Sequence, residues 1–385
     1  MPWISTARTV ASRLAEDAAA RDKANQPPFP EVESLRASGL LSLLIPKERG
    51  GGGADWRTAY AVIREIAAGD GSIGQLLGYH YLLSWNPRFF GTDAKTEELE
   101  RAAADGGWFW GGAFNPRDPD VTLTPSDGHF LLNGRKSFAT GARVADRIVA
   151  GATRTDTGDP VVVVLDPAHP GVHRPDDWDN FGQRLSASGS ITFTDVPIRA
   201  EDVLGVLSDD LDPFGTLVTP AIQTVFVHFY LGIAEGALAA ARDYTRTVTR
   251  PWVLSGVGTA AEDPYVLATY GELAVSAHAA RALADRAADA VQRGLDRGHE
   301  LTLHERGEIA ATVAVAKVAA TNAALDITAR VLEVTGARAT ASELGFDRFW
   351  RNARTHTLHD PVAYKLREVG DHFLNGTHAP FTLYT

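Results

Sequence analysis

Apolar residues recur every three or four positions through "STARTVASRLAEDAAARD", "PFPEVESLRASGLLSLL" and "DWRTAYAVIREIAAGDGSIGQLLGYHYLLSW". That spacing gathers them on one helical face and predicts a helical domain over 1–105, divided by the turn "PKERGGGGADW". From 106 to 212 the runs shorten and alternate or turn β-branched, as in "HFLLNGRKSFA", "RIVAGATR", "PVVVVLD" and "GSITFTDVPI", with Gly, Pro and Asp between them. A β domain is expected there. Over 213–385 long Ala-rich periodic stretches return, each exceeding the ~10–14 residues of an average globular helix, which fits helices packed along their whole length in a bundle. The expected fold class is mainly α with a central β domain.

Composition narrows the chemistry. At 385 residues more than one core is expected, and the absence of Cys removes disulfides, thiolate metal sites, iron–sulfur clusters and Cys nucleophiles together. No metal site is expected. A formal charge of −11 argues against partners that need a basic face, nucleic acid and anionic membrane among them. The first 26 residues hold no long apolar run, so neither a signal peptide nor a spanning helix is expected, and a cytoplasmic protein follows.

The densest polar chemistry lies in "RFWRNARTHTLHDPVAYKLREVG", residues 348–370. Arg348, Arg351 and Arg354 share roughly one helix face, either as a salt-bridged surface or as a phosphate or inter-subunit contact. His359 has an imidazole suited to donating and accepting protons near neutral pH, or is an ordinary helix-entry histidine. Asp360 and Pro361 suit the entry to a helix, Asp by accepting orphan amide hydrogens and Pro by its fixed φ. His356 stands one turn earlier.

"LNGRKSFATGARVADRIVAGATR", "FGQRLSASGSITFTDVPIRAEDVLG" and "LGIAEGALAAARDYTRT" resemble the middle domain and the first bundle helix of the acyl-CoA dehydrogenase superfamily. "VTGARATASELGFDRFWRNARTHTLHDPVAYK" and "GYHYL" resemble its flavin-dependent monooxygenase branch, which contains dibenzothiophene monooxygenase and bacterial indole hydroxylases. The resemblance implies an N-terminal helical domain, a middle β-barrel or sandwich and a C-terminal four-helix bundle. It also implies a reduced flavin, FADH2 or FMNH2, delivered by a separate NAD(P)H:flavin reductase, with O2 as co-substrate and a C4a-peroxide as the oxygenating species. A homotetramer, a dimer of dimers, is implied too.

Under that resemblance His359 stands where the dehydrogenases keep a catalytic Glu, and no Glu follows until Glu368. Abstraction of an α-proton is therefore disfavoured, and His359 is assigned to hold or protonate the oxygen adduct. Thr140 falls where the monooxygenases often carry Ser, its hydroxyl near the flavin or else strand filler, and Phe138 either packs beside the ring or is ordinary core. Gly111, Gly112 and Ala113 would let a planar ring approach, and Asn115 either bonds flavin or substrate or simply forms a turn before Pro116. His80 corresponds to a pocket histidine, with Tyr81, Ser84 and Trp85 as pocket walls for an indole-type aromatic or heteroaromatic substrate. Arg250, followed closely by Trp252, is expected at the flavin phosphate across a subunit interface, and Gly336 and Arg338 resemble the family's Gly-rich turn that approaches the cofactor. No GxGxxG or P-loop signals nicotinamide or ATP, and "TLVTPAIQTVF" lacks the Asp and Arg that help dehydrogenases hold coenzyme A. The competing readings are an acyl-CoA dehydrogenase or oxidase with a relocated base, and a non-catalytic flavin-binding protein.

Overall fold

The computed structural model describes residues 2–207, 212–382 and 384–385. Six helices come first: α1 (Pro2–Glu16), α2 (Ala18–Ala24), α3 (Phe29–Ala37), α4 (Trp56–Gly69), α5 (Gly71–Phe90) and α6 (Asp93–Gly106). Side-chain caps decide where the long periodic stretch breaks. Asp55 accepts from the Thr58 amide at the start of α4, Asp70 from Ser72 and Ile73 at the start of α5, and Thr92 from Lys95 at the start of α6.

The middle of the chain forms one mixed sheet of β1 (Trp110–Ala113), β2 (Thr122–Ser126), β3 (His129–Lys136), β4 (Arg147–Arg154), β5 (Pro160–Leu165), β6 (Val172–His173), β7 (Ile191–Ile198) and β8 (Val203–Val206). The order is β6-β7-β3-β2-β4-β5-β8, and β1 pairs in parallel with β4. Val161 to Leu165 of β5 are all buried, which is why that strand reads as a continuous apolar run.

Three long helices follow, α7 (Val218–Thr247), α8 (Pro264–Arg297) and α9 (Leu303–Thr335), and then the shorter α10 (Asp347–His356) and α11 (Val362–Asn375). Every residue of α7 from Gln223 to Ala234 is buried, so the helix is apolar on nearly all sides, as a central bundle helix must be. Gly215–Thr247 and Leu303–Thr335 are long and apolar enough to cross a membrane, but 89% of the first segment's apolar window is buried in the protein. Gly232 and Gly236 let α7 approach α4, because an added Cβ would lie 2.4 Å from the Arg64 carbonyl oxygen and 2.2 Å from that of Ala68.

Candidate active site

A cavity of about 630 Å³ opens where α5, the loops of the sheet, the first half of α7 and the α10–α11 turn meet. Its size lies within the ~300–1,000 Å³ typical of cofactor and small-molecule sites. From α5 it is lined by Gln75, Tyr79, Leu82, Leu83, Asn86 and Phe90, whose three- and four-residue spacing defines one face of that helix.

His359 lines the cavity at the α10–α11 turn, with 41% of its side chain exposed. Its ring lies parallel to that of His356, 5.3 Å away with 2° between planes, and stands edge-on to Phe226 at 5.1 Å. Nδ1 is 3.4 Å from Asp360 Oδ1, while Nε2 has no hydrogen-bond partner among the described residues. Behind it Asp360 is buried and bonded by Lys317 Nζ at 2.9 Å and Gln223 Nε2 at 3.3 Å, and Lys317 also donates to Gln223 Oε1 at 2.7 Å. Burial alone would raise the Asp360 pKa, but His359 and Lys317 outweigh it and hold the carboxyl well below the usual carboxylate range. Burial pushes the Lys317 ammonium down to about 8 despite Asp360.

Asp360 therefore anchors the turn from below, and does not cap α11 as expected. That helix begins at Val362 with Pro361 in the cap position and no side-chain cap. Glu368, the first Glu after the turn, pairs with Lys365 at 2.9 Å and does not line the cavity.

His356, less prominent in the sequence, is the buried hub of this wall. Its Nδ1 lies 2.8 Å from the Tyr230 hydroxyl and its Nε2 3.2 Å from that of Tyr79. Tyr230 also lies 3.1 Å from the His356 carbonyl. One assignment satisfies every donor: Tyr79 donates to Nε2, Nδ1–H donates to Tyr230, and Tyr230 donates to the His356 carbonyl. Burial holds the imidazole neutral and pushes both phenols above their ordinary pKa.

The opposite wall comes from the sheet loops. Phe138 is held at φ 52°, is 62% exposed, lines the cavity and meets Trp178 edge-on at 5.9 Å. Thr140 is buried at the lining, and its hydroxyl accepts from Ser188 at 3.1 Å, with Ser186 a further 2.8 Å from Ser188. Gln183 and Ala187 also take positive φ, so three non-glycine residues of these two loops hold a conformation that is costly without surrounding support. Asn115 lines the cavity but spends its amide locally, donating to Ser137 at 3.0 Å and accepting from the Arg117 amide at 3.1 Å. Gly111 is required by packing within the protein, since an added Cβ would sit 2.9 Å from the Gly141 backbone, whereas at Gly112 it would meet the tip of the Leu83 side chain at 2.8 Å.

The predicted pocket histidine lies elsewhere. His80 is fully buried on the other face of α5, bonded through Nε2 to the Leu41 carbonyl at 2.8 Å and through Nδ1 to the Trp110 amide at 3.1 Å. Tyr81 donates to the Leu40 carbonyl, Ser84 to the Tyr81 carbonyl, and Trp85 packs on Trp56 and Phe89. None of the four lines the cavity, because successive residues on a helix point about 100° apart. Tyr79, one position before His80 in the same motif, is the residue that faces it.

Arg250 and Trp252 follow α7, and Gly336 and Arg338 follow α9. The two loops meet through the Thr249 hydroxyl on the Thr335 carbonyl at 3.2 Å, yet none of the four residues lines the cavity of its own chain. Of the three arginines on α10, Arg351 pairs with Asp22 and Asp347, Arg348 lies over the Phe349 ring, and Arg354 has no carboxylate partner among the described residues.

Family models for the acyl-CoA dehydrogenase N-terminal, middle and C-terminal domains match residues 4–107, 111–196 and 224–363. The chain belongs to the acyl-CoA dehydrogenase family. Within it, the monooxygenases are close relatives. Dibenzothiophene monooxygenase of Rhodococcus erythropolis is 44% identical, over 97% of this chain and 93% of that protein. The probable FMNH2-dependent monooxygenase SfnC of Pseudomonas putida is 41% identical, over 97% and 95%. The solved complex of TdsC from Paenibacillus sp. A11-2 with FMN and indole superposes with a TM-score of 0.96 at 40% identity, over the whole of both chains. In this family member the carboxylate beside the cavity is Asp360, and its bonds to Lys317 and Gln223 make it a poor base.

Proposed function

We propose that the chain is the oxygenase of a two-component system, taking reduced flavin from a separate reductase and using O2 to oxygenate a small aromatic or heteroaromatic compound of indole type. The observation that carries this reading is His359, an imidazole at the cavity whose Nε2 has no partner among the described residues, beside Asp360, a carboxylate immobilised as an anchor. Support also comes from the relatives, one named as FMNH2-dependent and one solved with FMN and indole.

The residues fit a flat cofactor with polar edges. Phe138, Trp178 and Phe226 offer apolar faces, while Gln75 Oε1, Gln183 Oε1 and Thr355 Oγ1 are buried at the lining without hydrogen-bond partners. Bound reduced flavin supplies the electrons that reduce O2, one atom of which goes to the substrate and the other to water. His359 Nε2 holds or delivers a proton beside that chemistry, and the stacked His356 ring with Tyr79 fixes its plane. Thr140 and Ser188 present hydroxyls from the facing wall. Leu82, Leu83, Phe90 and Phe114 exclude water from one side of the cavity.

In a homotetramer the exposed loops of Arg250, Trp252 and Arg338 would meet a neighbour's flavin phosphate. Trp252, Val253 and Leu254, each at least 69% exposed, give that end of the bundle an apolar surface suited to association. The test is single turnover with chemically reduced FMN, ¹⁸O₂ and indole, read by mass spectrometry. One added ¹⁸O per product is expected; bleaching of oxidised flavin by an acyl-CoA, with no oxygen added to indole, would sink the reading.

A further inference from the structure

Two segments, 70 residues apart between Glu308 and His378, bring three imidazoles and a carboxylate together outside the cavity. His304 and Glu308 are four apart on one face of α9, His372 lies on α11, and His378 lies in the segment after it. One ligand-capable atom from each of His304, Glu308 and His378 lies within 4.8 Å of the others. His378 Nε2 is 2.8 Å and His372 Nε2 3.8 Å from the same carboxylate oxygen, Glu308 Oε1. The rings of His304 and His372 each lie 5.2 Å from that of His378. None of the four lines the cavity.

Two independent details show that the cluster is built. His372 donates from Nδ1 to the Thr377 carbonyl at 3.2 Å, which fixes its tautomer and leaves the Nε2 lone pair directed at the cluster. A backbone acceptor on the second nitrogen is the support that metal-ligating histidines ordinarily have. Gly307, inside α9, is the seat of the His378 ring: a Cβ there would come within 2.3 Å of it.

We propose that His304, Glu308, His372 and His378 bind a divalent transition cation of the zinc class. Two imidazole nitrogens and the carboxylate oxygen already converge, and His372 Nε2 would complete the tetrahedral set that Zn²⁺ takes, with Cu²⁺ and Ni²⁺ as competitors. The ion replaces the proton shared between His378 and Glu308. It clips the end of the chain to α9, beside the bond from Arg306 to the Thr385 carbonyl at 2.8 Å and the one from Lys365 to the Tyr384 carbonyl at 2.6 Å. The sequence signalled no such site because its ligands come from separate segments.

The test is calorimetric titration of the chelator-stripped, full-length protein with ZnCl₂, together with its Tm with and without zinc. About one ion per chain at micromolar affinity or tighter is expected, with a zinc-dependent rise in Tm. His304→Gln combined with His378→Gln should weaken binding at least tenfold and abolish the Tm rise. His173→Gln, an exposed histidine on β6, should change neither. Should the double variant be unstable without zinc, Glu308→Gln carries the same expectation. Binding that is absent, or unchanged by these ligand substitutions, overturns the proposal.

Discussion

The His80 region and the His356–His359 region both set imidazole among aromatic rings, yet only the second borders a cavity. His80 stacks on Phe109 at 5.2 Å and has both nitrogens bonded to backbone, so it joins α5 to β1 and to the Leu40–Ser42 turn as a structural rivet. His359 has one long contact to a carboxylate and one nitrogen uncommitted at the lining. A histidine's availability for chemistry is decided by how many of its ring nitrogens the fold has already used.

The sharpest way to break this contrast is to truncate each ring. His359→Ala should lower oxygenation turnover by about 10²–10⁴-fold, measured with reduced FMN and indole. His80→Ala should leave the rate per folded molecule near that of the unsubstituted protein. It should instead cost stability, about 1–3 kcal/mol for each of the two buried backbone groups left unpaired, read from denaturant unfolding. Opposite outcomes would exchange the roles of the two regions.

Next in size is the support beneath His359. Lys317→Met strands the Asp360 carboxylate in the interior and should cost about 3–5 kcal/mol. Adding Asp360→Leu should recover part of that loss, since it removes the stranded charge.

The third prediction concerns acid. Burial pushes His80 down to about 4 from an ordinary 6.5, so the unfolded chain binds a proton that the folded one refuses across that interval. Stability contributed by the neutral ring is complete above pH 6.5 and is lost as pH falls towards 4, by about 3 kcal/mol for this group. Buried His228, pushed down to about 3, and His356 act with the same sign. Denaturant melts at stepped pH should show the decline, and His80→Gln should flatten it.

The smallest effect is expected at the sheet-loop wall. Phe138→Gly relieves the left-handed backbone and should stabilise the fold by about 1 kcal/mol while weakening reduced-flavin binding in equilibrium dialysis.

The three-part architecture was legible because the period of the apolar pattern changes from helical to alternating and back, and each change marks a different packing demand. His359 stood out because "LHDP" is a compact polar motif at a helix boundary and the resemblance gave it a counterpart, and its ring lies at the cavity lining. The α5 wall was misread by a single position: "GYHYL" names both Tyr79 and His80, and only the helix's packing phase shows which of them faces inward. Asp360 was read from local capping preference, but long-range pairing with Lys317 outweighed it. Gln183 and Ser188 lie in a stretch without periodicity, and their place at the lining depends on positive-φ turns that no residue-type preference announced.

Helix α5 divides its labour lengthwise. The edge carrying His80, Tyr81 and Trp85 is wedded to the protein interior, whereas Tyr79, Leu82, Leu83 and Asn86 line the cavity. Substrate preference can therefore drift through changes at a few positions spaced by three and four, while the scaffold beneath them stays intact. A laboratory seeking altered selectivity would diversify Leu82, Leu83 and Asn86, and leave Tyr79, which bonds His356, and the His80 edge untouched.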